Sequence, residues 1–151
     1  MELTDRELHW QRMQAADKDA HAIIAHDFSA SRMNATKWRE VVEAIGEDSN
    51  RYRFRWVDVP KVSDWMNAWI PYPHVTYFDT AAVGPFRTFT IEWMEIDPIE
   101  EVKNGLLLKP QRINHTAEIE QRLQEINVPY ELVDDYIRVV GYIRNTAKAT
   151  G

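Results

Sequence analysis

The chain contains no cysteine. Disulfides, thiolate nucleophiles and Cys-ligated zinc are therefore excluded, and a reducing compartment such as the cytosol suits the chain. Glycine is scarce too: there are five, all isolated from one another. No GxSxG, P-loop or GxGxxG pattern can be written from them, so nucleophile-elbow and phosphate-cradle readings lack support. No apolar run approaches the roughly 20 residues of a membrane span. The charged N-terminal stretch, Met1 to Asp19, shows no apolar region of a secretory signal. Positive charge is also in deficit. Lys and Arg number 18 against 24 Asp and Glu, a formal net charge of -6. That balance argues against nucleic acid and anionic membranes as partners and is compatible with a basic one.

What is present fits a globular protein. Hydrophobic residues make up 44% of 151 residues, enough for one domain with a core of its own. Five of the six tryptophans lie between Trp38 and Trp93. Tryptophan is large and costly to leave wet, so this span is either core or contact surface.

Helix signals stand at three places. Thr4 and Glu7 form a capping box, Leu3 can staple onto Leu8, and a helix from there can run to about Ala25 with a weak apolar face. Ser29-Ala30-Ser31 breaks it. Asn34 can cap a second helix whose stripe is Trp38, Val41, Val42 and Ile45, with Gly46 just beyond its end. Thr116 is the expected cap of a third, with Ile119, Leu123 and Ile126 as stripe, Asn127 at the left-handed stop and Pro129 after it.

Strands lie between and after the helices. Arg51 to Trp56 alternates strictly, the arginines on one face and Tyr52, Phe54 and Trp56 on the other. The parity switch at Val57 and Val59 suggests a bulge or an end near Pro60. Asp64 to Ile70 is a second candidate, interrupted by Pro71-Tyr72-Pro73. Val75 to Phe78 is short and β-prone, and Gly84-Pro85 marks a turn. Phe86 to Ile96 reads as one strand, with Phe89, Ile91 and Trp93 facing one way and Thr88, Thr90 and Glu92 the other. Trp38 and Trp93 are both expected in the core. Leu106 to Leu108 is a further short candidate. A hairpin of Tyr130 to Val133 and Tyr136 to Ile143 turns at Asp134-Asp135. The order implies an α+β fold, a mainly antiparallel sheet packed with two or three helices in a single domain. Residues 1–32 read as an N-terminal helical extension, 33–144 as the α+β domain and 145–151 as a flexible tail.

Motifs with chemistry are few. His21 and His26 are five apart, which splits them across a helix, and no HExxH pattern occurs. No metal and no cofactor is assigned. On a regular strand Glu92 and Glu95 face opposite ways, so they make no carboxylate pair. The sharpest feature is the ladder of Arg51, Arg53 and Arg55, spaced about 6.6 Å apart along one strand face. Such a ladder can grip phosphates or carboxylates, or it can be a solvated face neutralised by Glu92 and Glu95. The second reading is favoured. Trp65, Trp69, Tyr72, Tyr77 and Phe78 sit among prolines without clean periodicity. Some can serve as binding anchors, so Trp65, Trp69 and Tyr72 join the three arginines as candidate partner-binding residues.

Thr36-Lys37-Trp38-Arg39-Glu40, Val62-Ser63-Asp64-Trp65, Glu92-Trp93-Met94-Glu95-Ile96 and Gly141-Tyr142-Ile143-Arg144 together resemble a family of small bacterial proteins classed as a domain of unknown function. The resemblance spans roughly Asn34 to Arg144 and brings no catalytic residues with it. Small acidic bacterial proteins of this style are similar to immunity proteins, which implies a partner rather than a substrate. The expectation is thus a cytosolic, non-enzymatic protein-binding domain, an immunity- or antitoxin-like inhibitor of a basic toxin or enzyme. A homodimer is compatible with it. Two alternatives remain open: a nucleic-acid module using the Arg51–Arg55 strand, and an enzyme with a dispersed polar site.

Overall fold

Tyr52, Phe54 and Trp56 are buried while the arginines between them face the other way, so the alternation at Arg51–Trp56 sorts the central sheet into two faces. The computed structural model describes residues 2, 4–45, 50–67, 70, 73–74, 76–80, 82–103, 105 and 109–145. The elements run α1 (Asp5–Asp27), β1 (Phe28–Ser31), α2 (Ala35–Ile45), β2 (Arg51–Trp56), β3 (Tyr77–Thr80) and β4 (Gly84–Arg87). A 3-10 turn (Thr88–Thr90) follows, then β5 (Ile91–Asp97), β6 (Ile99–Val102), β7 (Gln111–Asn114), α3 (Thr116–Glu125), β8 (Tyr130–Val133), β9 (Tyr136–Val140) and β10 (Tyr142–Arg144). The main sheet has the order β2-β5-β9-β8, and every strand pair is antiparallel. β1 pairs with β10, β3 with β4 and β6 with β7 as two-stranded ribbons. The fold is a single-domain α+β architecture dominated by sheet.

One face of the main sheet carries the core. The α2 stripe of Trp38, Val41, Val42 and Ile45 and the α3 residues Ile119 and Leu123 pack onto Phe54, Met94, Ile96, Ile137 and Val139. Asn34 caps α2, its Oδ1 accepting the Lys37 N–H at 2.8 Å. The start of α3 differs from the expectation. Asn114 Oδ1 accepts from both the Thr116 N–H and the Thr116 hydroxyl, which leaves Thr116 as the first helical residue and not the cap. Asn127 does adopt the left-handed conformation after α3, with φ 56°.

Three strand expectations change. Phe86 to Ile96 is broken by the 3-10 turn, where the Thr90 hydroxyl donates to the Arg87 carbonyl at 2.7 Å and draws the backbone out of the ladder. Around Asp64 to Ile70, the described residues contribute one antiparallel bridge, Met66 to Tyr52, and no strand. The third change is a bulge. Arg55 stands opposite Trp93 but Trp56 stands opposite Ile91, so Glu92 is the extra residue of β5. Ile91 and Trp93 therefore do not share a face. Ile91 lies in the main core, while Trp93 is buried on the arginine side beneath Arg138, whose guanidinium carbon is 4.4 Å from the ring centroid. Leu3, Gly46, the Leu106–Leu108 strand candidate and the tail from Thr146 onward lie outside the described residues.

A second cluster, Ala20, Phe28 and Val57 with Ile23, Ile24, Phe89 and Tyr142 against it, joins the C-terminal half of α1 and β1 to the sheet. Thr4 and Glu7 complete the capping box at the other end of α1. Between these ends α1 has no apolar stripe, and its first turns are exposed. Among the described residues no helix is long and apolar enough to cross a membrane.

Candidate functional site

The arginine face carries its own counter-ions. Arg51 reaches Asp97 at 2.8 Å and Arg53 reaches Glu95 at 2.7 Å. Arg138 of β9 meets the same Glu95 at 2.8 Å and Glu131 of β8 at 3.8 Å. The register places Arg53, Glu95, Arg138 and Glu131 in one row across all four strands, alternating in sign. The bulge turns Glu92 onto this same face, where Arg144 approaches it at 2.6 Å and Arg55 at 3.5 Å. Glu92 and Glu95 thus share a face, contrary to the reading of a regular strand. The face is also less wet than expected: Glu92, Glu95 and Asp97 are all buried, under arginines that remain partly exposed.

Trp65 belongs to this layer. The Arg53 guanidinium lies 4.4 Å and that of Arg51 4.8 Å from its ring centroid, and Tyr136 packs beside it at 4.9 Å. Of the six candidate residues the structure brings Arg51, Arg53 and Trp65 together and sets Arg55 toward the opposite end with Glu92 and Arg144. Trp69 and Tyr72 lie outside the described residues. Charges this well matched lock strands in register.

A different place offers open apolar surface. A groove of about 560 Å³ runs between the first half of α1, the turn after β2 and the β3–β4 hairpin. Its volume is that of a ligand pocket. Trp10 on α1 is 55% exposed, Val59 after β2 40% and Val83 at the hairpin tip 48%, and all three line it. Local chemistry sets the two valines there. The Val59 N–H closes a turn onto the Trp56 carbonyl. Gly84 takes a positive φ of 83°, open to glycine, and Thr80 Oγ1 accepts the Val83 N–H, so Val83 is carried out on the tip.

Two polar atoms of the lining residues are closed to solvent. Trp56 is 7% exposed, stacks edge-on with Phe86 at 5.2 Å, and its indole N–H has no hydrogen-bond partner among the described residues. Arg87 Nε is also without a hydrogen bond and faces Asp17 of α1 at 3.5 Å, an ion pair across the groove. Asp58 lines the rim, exposed and without an ionic partner among the described residues. Sequence reasoning missed this site. A tryptophan on a helix that has no stripe to serve was the one available signal, since no core position called for Trp10.

Titration is perturbed elsewhere. His115 Nε2 meets Glu100 at 2.7 Å and its Nδ1 meets Glu118 at 3.3 Å; hydrogen bonding to Glu100 leads in holding the imidazole above its ordinary value. Burial pushes Tyr52 up to about 12 and also raises Tyr142, whose hydroxyl donates to the Phe89 carbonyl.

Comparison with known proteins adds a family and nothing chemical. No curated protein and no solved structure matches the chain. A family model described as a family of unknown function (DUF6678) matches residues 20–146. The match bears out the resemblance to a domain of unknown function and stops short of the α1 turns that wall the groove. With most of its length covered, the chain belongs to the DUF6678 family of unknown function.

Proposed function

We propose that this chain is a non-enzymatic protein-binding domain, an inhibitor of the immunity or antitoxin type that acts on a basic partner in the bacterial cytosol. One observation supports it most. Five large apolar side chains are exposed among the described residues, and three of them, Trp10, Val59 and Val83, converge on one groove. Apolar side chains exposed singly are ordinary, but a convergent group with a tryptophan in it is the usual make-up of a binding hot spot. The net charge of -6 favours a basic partner, and a cysteine-free chain suits the cytosol.

The test is photo-crosslinking in the source cells. A photoreactive residue at position 83 should give one discrete protein adduct. The same residue at the exposed position 101 on β6 should not. A smear of adducts common to both positions, or no adduct at 83, would remove the groove as a protein-binding surface.

A further inference from the structure

We propose that the groove between α1, the turn after β2 and the β3–β4 hairpin takes a short apolar segment of the partner that carries a Lys or Arg, its apolar side chains against Trp10, Val59 and Val83 and its cation meeting Asp58. The proposal rests on the protein-binding reading and names the chemistry of what is bound.

Two features specify that occupant. The walls are apolar, with Trp10, Met13, Val83 and Pro85 around an opening of about 560 Å³, room for two or three side chains and not for a folded surface.

The charge at the rim selects the side chain. Lining residues include Asp17, Asp58 and Arg87, and Arg87 is already engaged by Asp17 at 3.5 Å. What remains unbalanced is the Asp58 carboxylate. A carboxylate on the ligand would meet Asp17 and Asp58 together, with the one guanidinium shared. A cation meets Asp58 without competition, and the net charge of -6 steers it inward. An organic anion is thus the wrong occupant despite Arg87, and an apolar segment with a basic side chain is the right one.

The experiment uses the full chain as bait for a random peptide library displayed on phage, with a Trp10→Ala, Val83→Asp double variant as counter-selection. The expected result is an enriched motif of two or three apolar residues beside a Lys or Arg. The selected peptide is then synthesised and titrated into nitrogen-15-labelled protein. The Trp10 indole N–H resonance should shift on binding, because Trp10 is exposed and walls the groove. Affinity should fall about threefold in Asp58→Asn, the scale of an exposed ion pair. An enriched apolar motif without a basic residue, binding Asp58→Asn as tightly as the wild type, would overturn the inference and leave the protein-binding reading standing. A basic motif that binds while the Trp10 resonance stays in place would overturn the placement of the segment in the groove. No enrichment over the counter-selected variant would overturn both.

Discussion

Glu92 lies directly beneath Gly141: its carbonyl oxygen accepts the Gly141 N–H at 2.7 Å, and a Cβ at 141 would run into the Ile91 and Glu92 carbonyl oxygens and the Trp38 ring. The close approach explains why the chain between β9 and β10 has no side chain at this point. It also fixes the bulge, because the extra residue of β5 turns its carbonyl toward Gly141 and its carboxylate toward Arg144. Gly141→Ala should therefore cost about 3 kcal/mol, the upper end for overpacking, since backbone oxygens cannot move aside as a side-chain tip can. Urea denaturation measures it. A loss under about 1 kcal/mol would mean that the β9–β10 corner relaxes freely.

Glu95 should be the most sensitive carboxylate. It is 1% exposed and accepts from Arg53 Nε at 2.7 Å and from Arg138 Nη2 at 2.8 Å. Glu95→Gln leaves two guanidiniums facing a neutral amide. Breaking a fully buried ion pair costs about 3–5 kcal/mol, and partial exposure of both arginines reduces this to about 2–3 kcal/mol. Glu131→Gln, at the exposed end of the same row, should change stability by less than about 0.5 kcal/mol. Equal losses at the two sites would show that the row does not depend on burial.

The two faces of β2 were legible because strict alternation has one structural meaning, and the stripes of α2 and α3 were legible for the same reason. The faces of β5 were not. Its sequence alternates plausibly from Phe86 to Ile96; the Thr90 whose hydroxyl closes the Thr88–Thr90 turn suits a strand equally well, and nothing local marks Glu92 as the extra residue. The bulge arises from long-range partners, β2 on one side and Gly141 on the other. The groove was illegible for a related reason. Trp10, Val59 and Val83 are far apart in the chain, and each looks like an isolated surface residue until the fold brings them together.

His115 makes stability depend on pH. Its two carboxylate partners, Glu100 foremost, raise its folded value above the ordinary one, so the folded state binds the proton more tightly than the unfolded chain. This contribution is present in full below the unfolded value of about 6.5 and is lost as pH rises through the folded value. Thermal melts of wild type and His115→Gln, taken from about pH 5.5 to about pH 8, should converge toward the alkaline end, since the ordinary carboxylates are ionised throughout. A gap between the two that widens with pH would contradict the sign.

Removal of residues 1–19 and of residues 1–32 should have different consequences. The first cut takes exposed helix, leaves Ala20 and Phe28 in their cluster, and starts where the family match starts. Its stability should stay within about 1 kcal/mol of the full chain, as expected when exposed residues are lost. The second cut removes β1, which pairs with β10 from Phe28↔Arg144 to Ser31↔Tyr142, and strips Ala20 and Phe28 from Val57 and Tyr142. Loss of a buried phenylalanine alone costs about 3–5 kcal/mol, so this chain should melt well below the full one. The shorter cut has a second readout. Without Trp10, Met13 and Asp17 the groove loses a wall and Arg87 loses its partner, so the 1–19 deletion should fold yet fail to hold a peptide selected on the full chain. A deletion that folds and binds as before would place the binding surface away from α1. Equal, small stability losses for both cuts would show that β1 and Phe28 add nothing to the core and that the domain is complete from Met33 onward.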